Sequence, residues 1–203
     1  MRREVKGNPR AGARSGFTLI EVLIVVVLLG IAGALVIPSM QQVGVLRVQS
    51  AVRTLVADIT YIQGDAVAFQ QRRAVWFGQV PRLNQALGTF EFIAGNGYTL
   101  AEVTGPVLDL TVSAMVDPDR PTQPYARSFD DDRFHGARLQ NVDFNGGAIL
   151  IFDELGGPVR DLDGPEPGTG GSLEVRGSGS IFTVNIEAYT GRVTVDRADD
   201  PNP

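Results

Sequence analysis

An uncharged apolar stretch near the N-terminus limits what this chain can become more than any other feature of its sequence. No charged side chain occurs from Val22 to Leu46, a run of 25 residues. A helix needs about 20 mostly apolar residues to cross a bilayer, because the hydrocarbon layer is about 30 Å thick and the helix rises about 1.5 Å per residue. The run is long enough to predict a transmembrane helix.

A carboxylate stands at the start of this run, and a basic segment precedes it. Glu21 directly adjoins the uncharged stretch, and residues 1–16 carry five basic side chains and one acid. An ionisable group in a membrane segment is costly, so it predicts a function and a partner of opposite charge. The alternative is a stray carboxylate that reaches the interface. The basic segment predicts a cytoplasmic leader, with the rest of the chain outside.

Residues 16–21, Gly-Phe-Thr-Leu-Ile-Glu, resemble the processing motif of type IV prepilins and type II secretion pseudopilins. The resemblance implies that prepilin peptidase cuts between Gly16 and Phe17 and N-methylates Phe17. It also implies that Glu21 meets the α-amine of a neighbouring subunit during assembly. Pairing in this way would relieve the cost of burying both charges in lipid. The helix-disturbing proline of the family falls on Pro38, where a backbone donor is lost.

A secretory signal peptide is the alternative interpretation of the same segment. Residues 17–31 would be its apolar region, and Ala32-Gly33-Ala34 matches a small-x-small cleavage site that would release a soluble chain from Leu35. Two features argue against it. Glu21 would lie inside the apolar region, and the apolar residues continue beyond the site.

Beyond Pro38 the sequence predicts an amphipathic helix that continues to about Arg73. Asp58, Gln63 and Asp65 lie off its apolar stripe, and Arg73 closes the helix at the end where cations are favourable. Few charges flank the stripe, so it predicts packing on a sheet of the same domain more than a coiled-coil seam. The stripe residues recur at intervals of three and four, the period of one helix face: Val45, Val48, Val52, Leu55, Ile59, Ile62, Ala66 and Phe69.

From residue 74 onward the pattern is typical of strands. Asn96-Gly97 predicts a hairpin turn, and Asn145-Gly146-Gly147 predicts another turn. Residues 113–136 and 161–171 read as loops, and 153–159 as a turn and edge segment. Strands are predicted over residues 74–77, 89–93, 98–103, 107–112, 138–144, 148–152, 172–176, 181–188 and 193–195.

This order of elements predicts an α+β fold, in which a long N-terminal helix packs on a mainly antiparallel β-sheet domain, as in pilins. The predicted divisions are a removed leader over 1–16, a transmembrane and filament-core segment over 17–38, the amphipathic second half of the helix over 39–73, a periplasmic β-sheet domain over 74–195 and a frayed tail over 196–203. The predicted location is the inner membrane, with a single pass.

Three looser patterns are similar to the H-type pseudopilins and FimT-like minor pilins. They are the helix end over 55–74, the stretch AILIFDELGGPV over 148–159 and the ending FTVNIEAYTGRVTV over 182–195. The likeness implies a minor subunit of a type II secretion or type IV pilus-like filament. The implied partners are prepilin peptidase, other pilins or pseudopilins and an inner-membrane assembly platform. Major pilins and G-type pseudopilins are the competing families.

The residues show no catalytic constellation, so an enzyme and a cofactor are not expected. His135 is the only histidine, and cysteine is absent. Calcium is the one metal ion that the acidic loops could bind, since calcium prefers oxygen ligands. Solvated acidic loops are the alternative for the same residues: Asp117, Asp119, Asp130, Asp131, Asp132, Asp161, Asp163 and Glu166.

Net charge bears on nucleic-acid binding. After residue 16 the chain has 13 basic and 22 acidic side chains, a net charge of −9. Because nonspecific binding depends on phosphate neutralisation, this charge argues against nucleic acid as a partner. A minor pilin that binds DNA stays an alternative, as does an anchored or secreted binding domain. A DNA surface would need Arg72, Arg73, Arg82, Arg120, Arg127, Arg133 and Arg138.

Overall fold

The computed structural model describes residues 17–200, except for the side chains of residues 34–43, and it divides into two units. The predicted leader, with Gly16, and residues 201–203 lie outside the described residues. The first unit ends at Met40 and the second begins at Gln41. Helix α1 (Leu19–Phe69) belongs to both. Its helical backbone includes position 38, and the side chain of Pro38 lies outside the description.

The second unit consists of the end of α1, a short helix and two main sheets. Helix α2 is Leu110–Ser113. The strands within the described residues are β1 (Arg73–Asn84), β2 (Thr89–Glu102), β3 (Val116–Asp117), β4 (Arg120–Pro124), β5 (Ala126–Ser128), β6 (Arg138–Phe144), β7 (Ile149–Phe152), β8 (Pro158–Val159), β9 (Gly171–Gly177), β10 (Ser180–Ile186) and β11 (Val193–Asp199). All their pairings are antiparallel. The predicted α+β class is confirmed.

The apolar stripe of α1 forms the centre of the main core. It packs with residues of both sheets, such as Phe77 and Leu150 on one side and Leu173 and Val184 on the other. The prediction of a core stripe is therefore confirmed. Phe69, by contrast, is 64 % exposed. Six predicted stripe residues are at most 5 % exposed: Val48, Val52, Leu55, Ile59, Ile62 and Ala66.

The end of α1 differs from the prediction, because the helix stops at Phe69 and not near Arg73. Gln70 adopts a left-handed conformation with φ of 53°. The Gln71 N–H then donates to the Ala66 carbonyl at 3.1 Å, which is the bond that closes a Schellman motif. Glycine normally occupies such a position, so a glutamine gave no signal. Arg73 begins β1 and pairs with Asp65.

The first sheet has the order β5-β2-β1-β7-β8. Strands β1 and β2 form a long hairpin that turns after Asn84, and β2 runs without a break through Asn96-Gly97. The predicted hairpin turn at Asn96-Gly97 is therefore wrong. The pairing of β1 with β2 shifts register between Phe77 and Gln79. Gly78 occupies this bulge with φ of 76°, a conformation that favours glycine.

Residues 103–128 are more regular than the sequence predicted. The predicted strand over 107–112 is wrong, since Asp109 caps α2 by accepting a hydrogen bond from the Thr111 N–H at 2.9 Å. The predicted loop over 113–136 contains the β3–β4 hairpin and β5. These strands are too short for a period of two to be detected in the sequence.

The second sheet has the order β11-β10-β9-β6. Asn145 and Gly146 form the predicted turn with φ of 56° and 82°. The strands on either side of it, β6 and β7, enter different sheets. Strand β11 continues to Asp199 and pairs with β10. The predicted frayed tail is therefore wrong for residues 196–199.

Candidate functional site

Thr18, the second residue after the predicted cleavage bond, caps the start of α1. Phe17 and Thr18 are not helical, and Leu19 is the first helical residue. The Thr18 hydroxyl oxygen accepts from the Glu21 N–H at 3.3 Å, and the Thr18 carbonyl accepts from the same N–H at 3.1 Å. An N-cap satisfies donors that the first turn otherwise leaves without partners. The sequence analysis gave Thr18 no role, although Thr-x-x-Glu is the spacing of a capping box.

Glu21 lies in the first turn of α1 with an exposed side chain. The positive end of the helix dipole favours a carboxylate at this position. Within the described residues Glu21 makes no ion pair, so the carboxylate is accessible to a cation from elsewhere. Phe17 is 83 % exposed. Gly16 lies outside the described residues, and the processing, assembly and helix-disturbing roles of Gly16, Phe17, Glu21 and Pro38 stay predictions.

The first part of α1 presents an apolar surface on all its sides. A surface of this kind on a soluble monomer is rare and marks contact with lipid or with other protein. Within the described residues, no helix is long and apolar enough to cross a membrane. Twelve large apolar residues are 50–86 % exposed: Phe17, Leu19, Ile20, Val22, Leu23, Ile24, Val25, Val26, Val27, Leu28, Leu29 and Ile31.

A buried polar cluster joins α1 to the edge of the first sheet. We call Asp58, Tyr98, Asp117, Tyr125 and Arg127 the Asp58 cluster. The two tyrosine hydroxyls donate to Asp58 at 2.8 Å and 3.0 Å. The guanidinium of Arg127 lies between the carboxylates, with Nε 3.2 Å from Asp58 and Nη1 2.9 Å from Asp117. Its Nε–H is not aligned with any acceptor, so the contact with Asp58 is an ion pair without a hydrogen bond.

Burial and hydrogen bonding shift the pKa values of the two carboxyls in opposite directions. Burial raises the pKa of Asp58, although Tyr98, Arg127 and Tyr125 act against the rise. Burial also acts upward on Asp117, but the pKa of Asp117 lies below its usual value because hydrogen bonds from Arg127, the Asp119 N–H and Arg120 outweigh it. Asp58 lies off the apolar stripe in the sequence, but the residue is only 5 % exposed.

Gln63 brings together two turns that belong to different sheets. Its side-chain amide donates to the carbonyls of Gly156 at 2.7 Å and Thr190 at 3.0 Å. These turns lie in the stretches 148–159 and 182–195, and Gln63 lies in the helix end 55–74. The three stretches that resemble minor pilins and H-type pseudopilins therefore meet at one side chain.

The acidic residues weighed as calcium ligands are dispersed. Asp117 is buried against arginines, and Asp130 accepts from the Asn96 amide at 3.1 Å. In the part of the chain that the structure describes, no group of three or more His, Cys, Asp and Glu residues could hold a metal ion. His135 is exposed in a turn.

Most of the arginines considered for DNA binding already face carboxylates. Arg72 lies 3.7 Å from Glu154, and Arg82 lies 3.2 Å from Glu91. Arg73, Arg120 and Arg127 also form ion pairs. A guanidinium beside a carboxylate contributes little to a field that attracts phosphate. Five of the seven arginines that the DNA alternative requires are therefore already paired with acids.

Comparison with known families identifies the N-terminal segment. The family described as the prokaryotic N-terminal methylation motif matches residues 12–37. This match covers the predicted processing segment, and it supports the resemblance of that segment to type IV prepilins and pseudopilins. Comparison with curated proteins found no match, and comparison with solved structures also found none.

Proposed function

We propose that the chain is a minor pseudopilin or pilin subunit of a type II secretion or type IV pilus-like filament. The observation that carries the proposal is the methylation motif over residues 12–37. Two features of the described residues support it. Helix α1 begins at Leu19, the third residue after the predicted cleavage bond, and its first part is apolar on all sides. After processing, this helix would anchor the subunit in the inner membrane and then pack among its counterparts in the filament.

Glu21 and the new α-amine of Phe17 would form the assembly pair. Cleavage converts the Phe17 amide into an amine, which is cationic at neutral pH. Within the described residues Glu21 has no ion-pair partner, and the Thr18 cap holds its backbone at the first turn. An amine and a carboxylate in lipid are each costly alone, so pairing between subunits would favour one axial register.

The assignment as a minor subunit rests on the three looser patterns. The three patterns meet in the fold, because Gln63 of the first donates hydrogen bonds to Gly156 of the second and Thr190 of the third. This contact gives a physical reason why the three patterns occur together. A system that places such subunits in a filament also needs an assembly platform in the inner membrane and other pilins or pseudopilins. We propose these as the partners, with the β-sheet domain in the periplasm.

The mature N-terminus tests the processing step. The intact mass and N-terminal sequence of the protein from its native membrane should correspond to a chain that starts at methylated Phe17. A Gly16→Val variant is the matched control, since a branched side chain at the cleavage site should leave the chain uncut. A start at Leu35 in the native protein would establish a secreted protein instead. A Met1 start would leave only an anchored domain.

The assembly step requires a separate test. The Glu21→Ala variant should be cut normally, and its recovery with sheared filaments should fall by roughly a hundredfold or more, because an uncompensated buried charge costs about 3–5 kcal/mol. Glu21→Asp, which keeps the charge, should retain more incorporation than Glu21→Ala. Normal incorporation of Glu21→Ala would refute the pairing mechanism and leave the processing result intact.

A further inference from the structure

Residues 115–127 form a strap beside the outer edge of β2. The strap contains β3, β4 and the start of β5, and its ends meet where the Tyr125 N–H donates to the Met115 carbonyl at 2.6 Å. Two backbone bonds of 2.9 Å join it to Leu100, one from the Leu100 N–H to the Tyr125 carbonyl and one from the Met115 N–H to the Leu100 carbonyl. Strand β5 adds pairing with β2 at residues 97–99. The attachment through the backbone is therefore short.

Polar and apolar side chains both hold the strap: the Asp58 cluster supplies charged contacts, and Tyr125 and Met115 pack with the main core. Of the strap residues, all of which the structure describes, only Asp117, Tyr125 and Ala126 have buried side chains. Asp117 and Tyr125 belong to the Asp58 cluster, together with the strap residue Arg127. Residues 118–123 are exposed. Charged contacts depend on geometry more than apolar contacts do, so small displacements weaken them steeply.

A groove separates the middle of the strap from the first half of β2. It has a volume of about 620 Å³, and its lining includes Phe90 and Phe92 of β2, Leu110 of α2, and Val116 and Pro121 of the strap. The β3–β4 hairpin is therefore not close-packed on the sheet, and its movement would break few apolar contacts. Residues 89–94 of β2 pair with β1 alone among the described strands.

We propose that the strap is a detachable cover of the β2 edge, fastened to α1 by the Asp58 cluster. It opens as a unit and takes the start of β5 with it, while α1, the other strands of the first sheet and the whole second sheet stay folded. Opening adds the edge at residues 98–100 to the edge that is already free at residues 89–94. Most of β2 then becomes an unpaired edge, except at Asn96, whose carbonyl accepts from the Phe129 N–H, and at Ala101, which bridges Ala114. An unpaired edge is a template for an added strand. This inference does not depend on the proposed function.

Hydrogen exchange with two variants distinguishes strap opening from global unfolding. The mature chain in detergent micelles is compared with Arg127→Ala and with Asp65→Asn, which weakens a buried ion pair outside the strap. Arg127→Ala should accelerate exchange of the Leu100 and Tyr125 amides about a hundredfold, since it leaves two buried carboxylates without their shared cation. Asp65→Asn should accelerate the β10 amides and leave the Leu100 and Tyr125 amides unchanged, because its ion pair survives strap opening.

The contrast between the variants makes the inference refutable. If Asp65→Asn accelerates the Leu100 and Tyr125 amides as much as the β10 amides, the strap opens only with the whole domain and the proposal is wrong. Unchanged exchange of the Leu100 and Tyr125 amides in Arg127→Ala would also overturn the proposal. Should Arg127→Ala fail to fold, Tyr125→Phe removes one hydrogen bond to a charged group and keeps the ring. It should accelerate the Leu100 amide about tenfold.

Discussion

Replacement of Asp58 by alanine should be among the most destabilising single changes in the β-sheet domain. The carboxylate accepts hydrogen bonds from the hydroxyls of Tyr98 and Tyr125 and lies 3.2 Å from the Arg127 Nε. Tyr98 is fully buried, and Tyr125 is 6 % exposed. Water therefore cannot replace the lost acceptor at Tyr98, and it can do so only poorly at Tyr125. Arg127 keeps Asp117 as its counter-ion.

The expected loss of unfolding free energy is about 3–5 kcal/mol. A buried donor without an acceptor costs about 1–3 kcal/mol, and two such donors remain in the Asp58→Ala variant. Removal of one partner from a buried ion pair costs about 3–5 kcal/mol, which includes part of the same effect. The two figures overlap and are not added. Since single domains are stable by about 5–15 kcal/mol, this loss is a large fraction of the total.

Urea unfolding of the mature chain in detergent, followed by near-UV circular dichroism, measures this loss. Tyr98→Phe provides a double-mutant control, because it removes a donor that Asp58→Ala leaves unsatisfied. In the Asp58→Ala background, Tyr98→Phe should therefore recover about 1 kcal/mol. A loss below about 1 kcal/mol for Asp58→Ala would refute the reasoning that the cluster is desolvated.

The pH dependence of Asp58→Asn tests the protonation of the cluster. Burial raises the pKa of Asp58 in the folded state, so the folded chain binds this proton more tightly than the unfolded chain does. The contribution of Asp58 to the free energy of unfolding is then greatest below the usual carboxyl pKa. This contribution falls as the pH rises through the raised pKa of Asp58 in the folded state. The advantage of the wild type over Asp58→Asn should therefore shrink from pH 4 to pH 7. An advantage that grows with pH would contradict the direction of the shift.

Two further predictions concern packing. Leu55→Ala should lower the free energy of unfolding in urea by about 2–5 kcal/mol, because Leu55 is fully buried at the centre of the α1 stripe. Leu46→Ala should change it little, because the Leu46 side chain is 63 % exposed. Gly97→Ala should lower the melting temperature, since the added Cβ would meet the Arg127 carbonyl. Gly64→Ala should raise the melting temperature, because the added Cβ has open space and alanine favours the helix α1. Equal melting temperatures for the two variants would contradict the close approach at Gly97.

Much of the fold could be predicted because its strongest signals are local. The stripe along α1 has a period that depends only on helix geometry, and Leu55 and Ile59 are buried as expected. Two local signals were misleading. Gln70 ends the helix in a conformation that normally belongs to glycine. Asn96-Gly97 has the composition of a turn, but the Asn96 amide donates to the Ala137 carbonyl at 2.9 Å, and its side-chain oxygen accepts from the Leu139 N–H at 2.9 Å. These bonds across the domain hold the pair inside β2.

The processing motif and the Asp58 cluster also differ in whether their signal is local in the sequence. The processing motif is contiguous from Gly16 to Glu21, so all of its chemistry can be read along the chain, and its family match covers the same segment. The Asp58 cluster draws its members from α1, β2 and the strap, with Asp58 and Tyr125 separated by 67 positions. Hydropathy alone classifies Asp58 as a solvated residue, because the tyrosines that satisfy it are distant in sequence. A short motif can therefore indicate the processing of this chain, whereas the device that fastens its β2 edge emerges only from the folded structure.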